Sequence, residues 1–174
     1  KMVDEGAMTQ EAINWTQGDT MNQFISGNLA MMINGTWQIP TMRSEVPDLK
    51  WNVAPIPQDK VQASGLGGEN YAVIAGGNEE AAIEFLKYAT SKDVCLYMMN
   101  AMGYISSDST IAEGQFEGDP VYQVFVDEMN YANARGPLPT WPQISDAISL
   151  AFNEVMTGTD PVAAAEKAQA TIDS

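Results

Sequence analysis

Apolar residues along the chain follow two spacings. In the first half they come in short blocks. Leu29, Ala30, Met31, Met32 and Ile33 form a continuous apolar run, the pattern of a buried strand. Trp51, Val53 and then Ile56 alternate with other residues until Pro55 and Pro57 end the stretch, as in an edge or terminating strand. Tyr71, Ala72, Val73, Ile74 and Ala75 make a third candidate strand, closed by Gly76 and Gly77. Residues 58–68 between them are polar and glycine-rich and predict a loop.

The second half carries helical spacing. Asn78 stands before Glu79 and Glu80, with Ala82, Phe85, Leu86 and Ala89 on one face, which predicts a capped helix with acids in its first turn. Ser91 opens another helix running to about Met102. Asp119 followed by Pro120 predicts a cap with proline at the first helical position, and Val121, Phe125 and Met129 continue the stripe. Thr140 to Gln143 reads as a capping box for a periodic helix carrying Ile144, Ala147, Ile148, Ala151, Phe152 and Val155, closed at Gly158. Asp160 and Pro161 begin a last helix to about Ile172. Earlier in the chain, Thr20 to Gln23 has the same box spacing, with Gly27 placed to end the helix. Strands followed by helices predict an α/β arrangement. The candidate strands are too few for a covered parallel sheet, so the expectation is an incomplete chain whose other strands lie upstream of Lys1.

Bulk composition narrows the function mainly by exclusion. A hydrophobic content of 45% and a charged content of 18% are those of a globular protein, and a compact chain of this length buries about 68–70% of its extended surface. The net charge of −15, from 23 acids against 8 bases, repels a phosphate backbone and disfavours nucleic acid and anionic membranes. Cys95 is the single cysteine and histidine is absent, which removes intrachain disulfides, the commonest general base and the commonest metal ligand. No spacing of Asp residues suits calcium, so no metal and no cofactor is expected. A pair of glycosidase carboxylates is compatible with so many acids, but none sits in a recognisable catalytic setting, and no catalytic residue is assigned.

Three stretches remain as candidate binding chemistry. Asn34, Gly35, Thr36 and Trp37 follow the first predicted strand, where open α/β sheets bind ligands. An indole there can stack on the apolar face of a pyranose ring or pack beneath the next helix. Gly65, Leu66, Gly67, Gly68, Glu69 and Asn70 combine backbone freedom with a carboxylate and an amide that can bind paired hydroxyls. The stretch lacks the Lys-Ser/Thr of a phosphate loop. Arg135, in a proline-rich loop before Trp141 at a helix start, is either a binding corner or a structural staple.

Taken in order, these segments resemble a known family. Phe24-Ile25-x-Gly27-x-x-Ala30-Met31 with Asn34-Gly35-x-Trp37, Val53-Ala54-Pro55-Ile56-Pro57, Gly67-Gly68, Ala81-Ala82-x-x-Phe85-Leu86-Lys87-Tyr88, Gly103-Tyr104-Ile105-Ser106 and Arg135-x-x-x-Pro139-x-Trp141 are similar to the sugar-binding proteins of ABC importers typified by maltose-binding protein. Many members have proline where Ser106 stands.

The resemblance implies a two-lobe periplasmic-binding-protein-like α/β fold, represented here by the carboxy-terminal lobe and a segment of the amino-terminal lobe. Residues 1–66 are then the first part of the carboxy-terminal lobe. Residues 67–117 form the hinge crossing and amino-terminal-lobe segment, and residues 118–174 the helical remainder of the carboxy-terminal lobe. It implies an extracytoplasmic binding protein, free in the periplasm or lipid-anchored, that captures a mono- or oligosaccharide for an ABC permease. It implies no enzyme activity and a monomeric parent protein. The implied ligand contacts are Trp37, Gly68, Glu69, Asn70, Arg135 and Trp141. The alternatives are a binding protein of the same fold for a non-sugar solute, a carbohydrate-active enzyme, or a surface adhesion module.

Overall fold

The computed structural model describes residues 1–174. In chain order its helices are α1 (Gln17–Ile25), α2 (Gln38–Glu45), α3 (Glu79–Ala89), α4 (Lys92–Met102), α5 (Ser109–Ala112), α6 (Pro120–Glu128), α7 (Trp141–Met156) and α8 (Pro161–Ile172). Two short strands, β1 (Ser64–Leu66) and β2 (Ala132–Ala134), pair in parallel with Ser64 opposite Ala132, Gly65 opposite Asn133 and Leu66 opposite Ala134. The architecture is a helix-rich α/β arrangement with a two-stranded sheet.

The helix starts follow from local chemistry. Asn78 accepts from the Ala81 amide at 3.2 Å, Asp119 from Val121 at 3.1 Å, and Asp160 from Val162 and Ala163 at 3.1 Å each. Each satisfies an amide that the first turn leaves without an intrahelical partner. Two predicted capping boxes are not formed. Thr140 precedes α7 without a side-chain cap bond. Thr20 lies inside α1, where its hydroxyl donates to the Thr16 carbonyl at 3.1 Å. The reciprocal pair at that helix start is Thr16 and Asp19: the Thr16 amide donates to Asp19 Oδ2 at 2.8 Å, and the Asp19 amide to Thr16 Oγ1 at 3.2 Å. Asp19 gains a second bond from the Thr16 hydroxyl, which sits four residues upstream of the predicted cap.

The predicted strands are corrected. Residues 29–33, 51–57 and 71–75 form no ladder, and Met31, Ile33 and Ile74 are 85%, 78% and 86% exposed. An apolar run describes a side chain suited to burial, whereas a strand needs a partner for its amides and carbonyls. The strands that do form include β1, inside the stretch expected to be loop.

The chain divides into two compact units. One comprises residues 1–24 and 135–174. Its core is the α7–α8 pair, where Ala147 and Ala164 are buried, Lys167 binds Glu154, and Gln10 Nε2 donates to the Met156 carbonyl at 2.9 Å. The other unit comprises residues 25–134 and buries Ile39, Met42, Ile111 and Tyr122. Burial is sparse. Large apolar side chains in both units, among them Phe85, Tyr97 and Phe152, remain exposed.

Candidate functional site

Trp37 stands immediately before α2, in the turn that starts the helix. The Gln38 amide donates to the Gly35 carbonyl at 3.2 Å and the Ile39 amide to that of Thr36 at 3.0 Å. The turn is preceded by Asn34, whose side-chain oxygen accepts from the Gly35 amide at 3.0 Å. The half-buried indole folds back over Gly35, so closely that a Cβ at Gly35 would lie 2.1 Å from its six-membered ring. Glycine is required at that position by this close approach. Trp37 also meets the ring of Tyr104, with ring centroids 5.9 Å apart and planes tilted by 46°, a favourable geometry for an aromatic pair.

Tyr104 reaches Trp37 through the end of α4. Gly103 adopts φ +73°, and the Tyr104 amide donates to the Met99 carbonyl at 2.9 Å, which closes the helix in a left-handed turn. Gln115 then fixes the following segment. Its Nε2 donates to Asn100 Oδ1 and to the Tyr104 carbonyl, both at 2.9 Å, and its Oε1 accepts from the Ser106 amide at 2.9 Å. Gln115 is buried with its amide oxygen and both amide hydrogens engaged. Tyr104 is not among the ligand contacts expected from the sequence. It marks itself there only as an aromatic after a helix-ending glycine, within the Gly103-Tyr104-Ile105-Ser106 segment, and its contact with Trp37 spans 67 positions of the chain.

The other expected residues fall elsewhere. Gly68, Glu69 and Asn70 are exposed in the segment that leaves β1, and no hydrogen bond or ring contact joins them to Trp37. Arg135 is exposed directly after β2, and half-buried Trp141 is the first residue of α7. These two belong to the unit formed by residues 1–24 and 135–174, whereas Trp37 and residues 68–70 belong to the other.

In the unit that holds Trp37, Arg43 forms an ion pair with Asp119. Its guanidinium holds the Asp119 carboxyl below the usual carboxylate range, chiefly through their hydrogen bonds, and Asp119 in turn raises the guanidinium. Tyr122, beside them, has its phenol pushed up by burial. No group of three or more His, Cys, Asp or Glu side chains is arranged to hold a metal ion.

Residues 1–123 match the family described as bacterial extracellular solute-binding protein. The chain belongs to this family. Two similar proteins, from Brucella abortus (strain 2308) and Brucella suis biovar 1 (strain 1330), are each named "Putative binding protein", and each is 25% identical over 178 residues, which is 99% of this chain. The chain spans 43% of the length of these relatives. Membership of an extracellular family implies a place outside the cytoplasm, and no helix is long and apolar enough to cross a membrane.

Proposed function

We propose that the chain is the carboxy-terminal part of a solute-binding protein that captures a mono- or oligosaccharide and delivers it to an ABC import permease. The observation that carries this reading is the Trp37 pair: a half-buried indole, seated on Gly35 and braced by Tyr104, next to a helix start. A braced indole with part of its surface open suits the apolar C–H face of a sugar ring, because little side-chain freedom remains to be lost on stacking. Glu69 and Asn70 are proposed to bind hydroxyls, with Gly68 allowing backbone approach. Arg135 and Trp141, in the other unit, are proposed as contacts on the resemblance alone.

The proposed lobes of the parent protein divide this chain after residues 66 and 117, at points different from the boundaries of the two compact units. Ligand would stabilise a closed arrangement of the lobes, and the permease would recognise that closed form. The parent is proposed to be monomeric and either periplasmic or lipid-anchored. Titration calorimetry of the full-length protein against a panel of mono- and oligosaccharides tests the proposal. Heat from one sugar class at micromolar concentration is expected. Silence across the panel, with binding of a peptide, polyamine or metal complex, would transfer the fold to a non-sugar solute, and release of product from a glycoside would make it an enzyme.

A further inference from the structure

The β1–β2 pair has three residues on each side, too short for its backbone bonds alone to hold one register firmly. A side-chain pair lies at its amino end. Gln62, two residues before β1, donates from Nε2 to Glu128 Oε1 at 2.8 Å. Glu128 is the last residue of α6, four positions before β2. Its exposure is 9%, and its second oxygen, Oε2, is buried without a hydrogen-bond partner. A carboxylate at a helix carboxyl end also faces the negative end of the helix dipole.

The Glu128 site therefore lowers stability in itself, and its single bond to Gln62 offsets part of that cost. The arrangement makes slippage expensive. Moving β1 by one residue shifts it about 3.3 Å along β2, beyond hydrogen-bond tolerance, and would leave Oε1 without its Gln62 partner beside the already unpartnered Oε2. Buried polar pairs serve as register devices in this way elsewhere. The register fixed at the amino end determines where the chain leaves the pair. Leu66 lies opposite Ala134, and Gly67, Gly68, Glu69 and Asn70 follow directly.

We propose that Glu128, acting through Gln62, is a positioning residue that sets the register of β1 on β2 and so the starting point of the Gly68–Asn70 segment. Its functional meaning rests on the reading of that segment as a sugar contact; the register role does not.

Amide hydrogen exchange on the 174-residue chain, without any sugar, tests the register role. Glu128→Ala and Gln62→Ala should each speed exchange of the amides that donate across the β1–β2 pair at least tenfold while helical amides within residues 141–172 keep their protection. The exchanged pair, Gln62→Glu with Glu128→Gln, rebuilds the hydrogen bond in reverse and should return those amides to within about threefold of the original rates. General weakening of the strands by any change at the site would not be rescued in this way. Unchanged strand protection in Gln62→Ala, or no recovery in the exchanged pair, overturns the proposal. If Glu128→Ala fails to fold, Gln62→Ala and the exchanged pair decide. Loss of the carbohydrate reading in calorimetry would leave these exchange rates standing and remove only their link to ligand.

Discussion

Arg43 grips Asp119 with two parallel hydrogen bonds, Nη1 to Oδ2 at 2.7 Å and Nη2 to Oδ1 at 2.9 Å, across 76 positions of sequence. The same carboxylate caps α6, and the guanidinium carbon lies 5.7 Å from the centre of the Tyr122 ring. Tyr122 in turn stacks on Phe116, with centroids 3.6 Å apart and planes within 4°. One residue near the end of α2 thus holds the start of α6 and the ring beside it.

The pH response of this pair follows from its direction of shift. Asp119 has a depressed carboxyl in the folded chain, so its contribution is fully present above the unfolded value of about 3.9 and is lost as pH falls through the folded value. Arg43 stays charged throughout this range. The Arg43 side chain is 46% exposed and that of Asp119 21%, so solvent screening keeps the ion-pair share to about 1 kcal/mol or less, and the lost cap adds about 1 kcal/mol. Asp119→Ala should destabilise by about 1–2 kcal/mol at pH 7, and clearly less at pH 3, in urea unfolding. An equal loss at both pH values would contradict the pairing.

Gln115 is expected to matter more than its neutral side chain suggests. Gln115→Ala leaves the Ser106 amide, the Tyr104 carbonyl and the Asn100 side chain without their partner. Ser106 is buried, so stranding its amide costs about 1–3 kcal/mol, whereas exposed Asn100 can turn to water. The variant should lose about 1–3 kcal/mol in urea unfolding. Gln115→Glu keeps the acceptor for Ser106 but loses both donors, and should also destabilise. Full stability in Gln115→Glu would show that the Asn100 and Tyr104 bonds contribute little.

The proposed sugar contact gives a graded series in the full-length protein. Trp37→Ala removes the stacking face and should weaken binding of the sugar found by calorimetry at least tenfold, or about 1.4 kcal/mol. Tyr104→Ala leaves the indole but removes its brace. Aromatic pairs contribute about 0.5–1.5 kcal/mol, so a loss of roughly two- to twelvefold is expected. Trp37→Phe should fall between the original protein and Trp37→Ala. Unaltered affinity in Trp37→Ala, with the fold intact by circular dichroism, would return Trp37 to a packing role.

What was legible in the sequence was what a few neighbouring residues decide. Asn78, Asp119 with Pro120, and Asp160 with Pro161 mark helix starts because the cap bonds close within three residues. Thr16 with Asp19 and Thr20 with Gln23 share one spacing, and the choice between them depends on where the helix begins. The strands were not legible. β1 is selected by a partner 68 positions away, whereas Met31, Ile33 and Ile74 have apolar side chains and no ladder to join. Trp37 stood out by residue type, but its brace at Tyr104 lies 67 positions away, and the Gln115 bonds behind it join residues 9 to 15 positions apart, beyond the reach of a local pattern.

Two glycines separate backbone strain from packing. Gly27 and Gly103 both hold a positive φ, +78° and +73°. A Cβ at Gly27 would meet nothing within 4 Å, whereas one at Gly103 would lie 2.7 Å from Pro40 Cδ and 2.8 Å from the Tyr122 hydroxyl. Gly27→Ala therefore carries only the cost of a left-handed conformation, about 1–2 kcal/mol. Gly103→Ala adds a collision with a rigid proline ring and a buried tyrosine, and overpacking of that kind costs about 1–3 kcal/mol more. Denaturant unfolding of the two variants should show Gly103→Ala to be the more damaging by at least 1 kcal/mol. Since Tyr104 is the next residue, its affinity for the identified sugar should fall as well, while Gly27→Ala should bind as the original does. Equal destabilisation of the two would mean that Pro40 and Tyr122 yield at little cost and that the packing behind Trp37 is looser than these distances require.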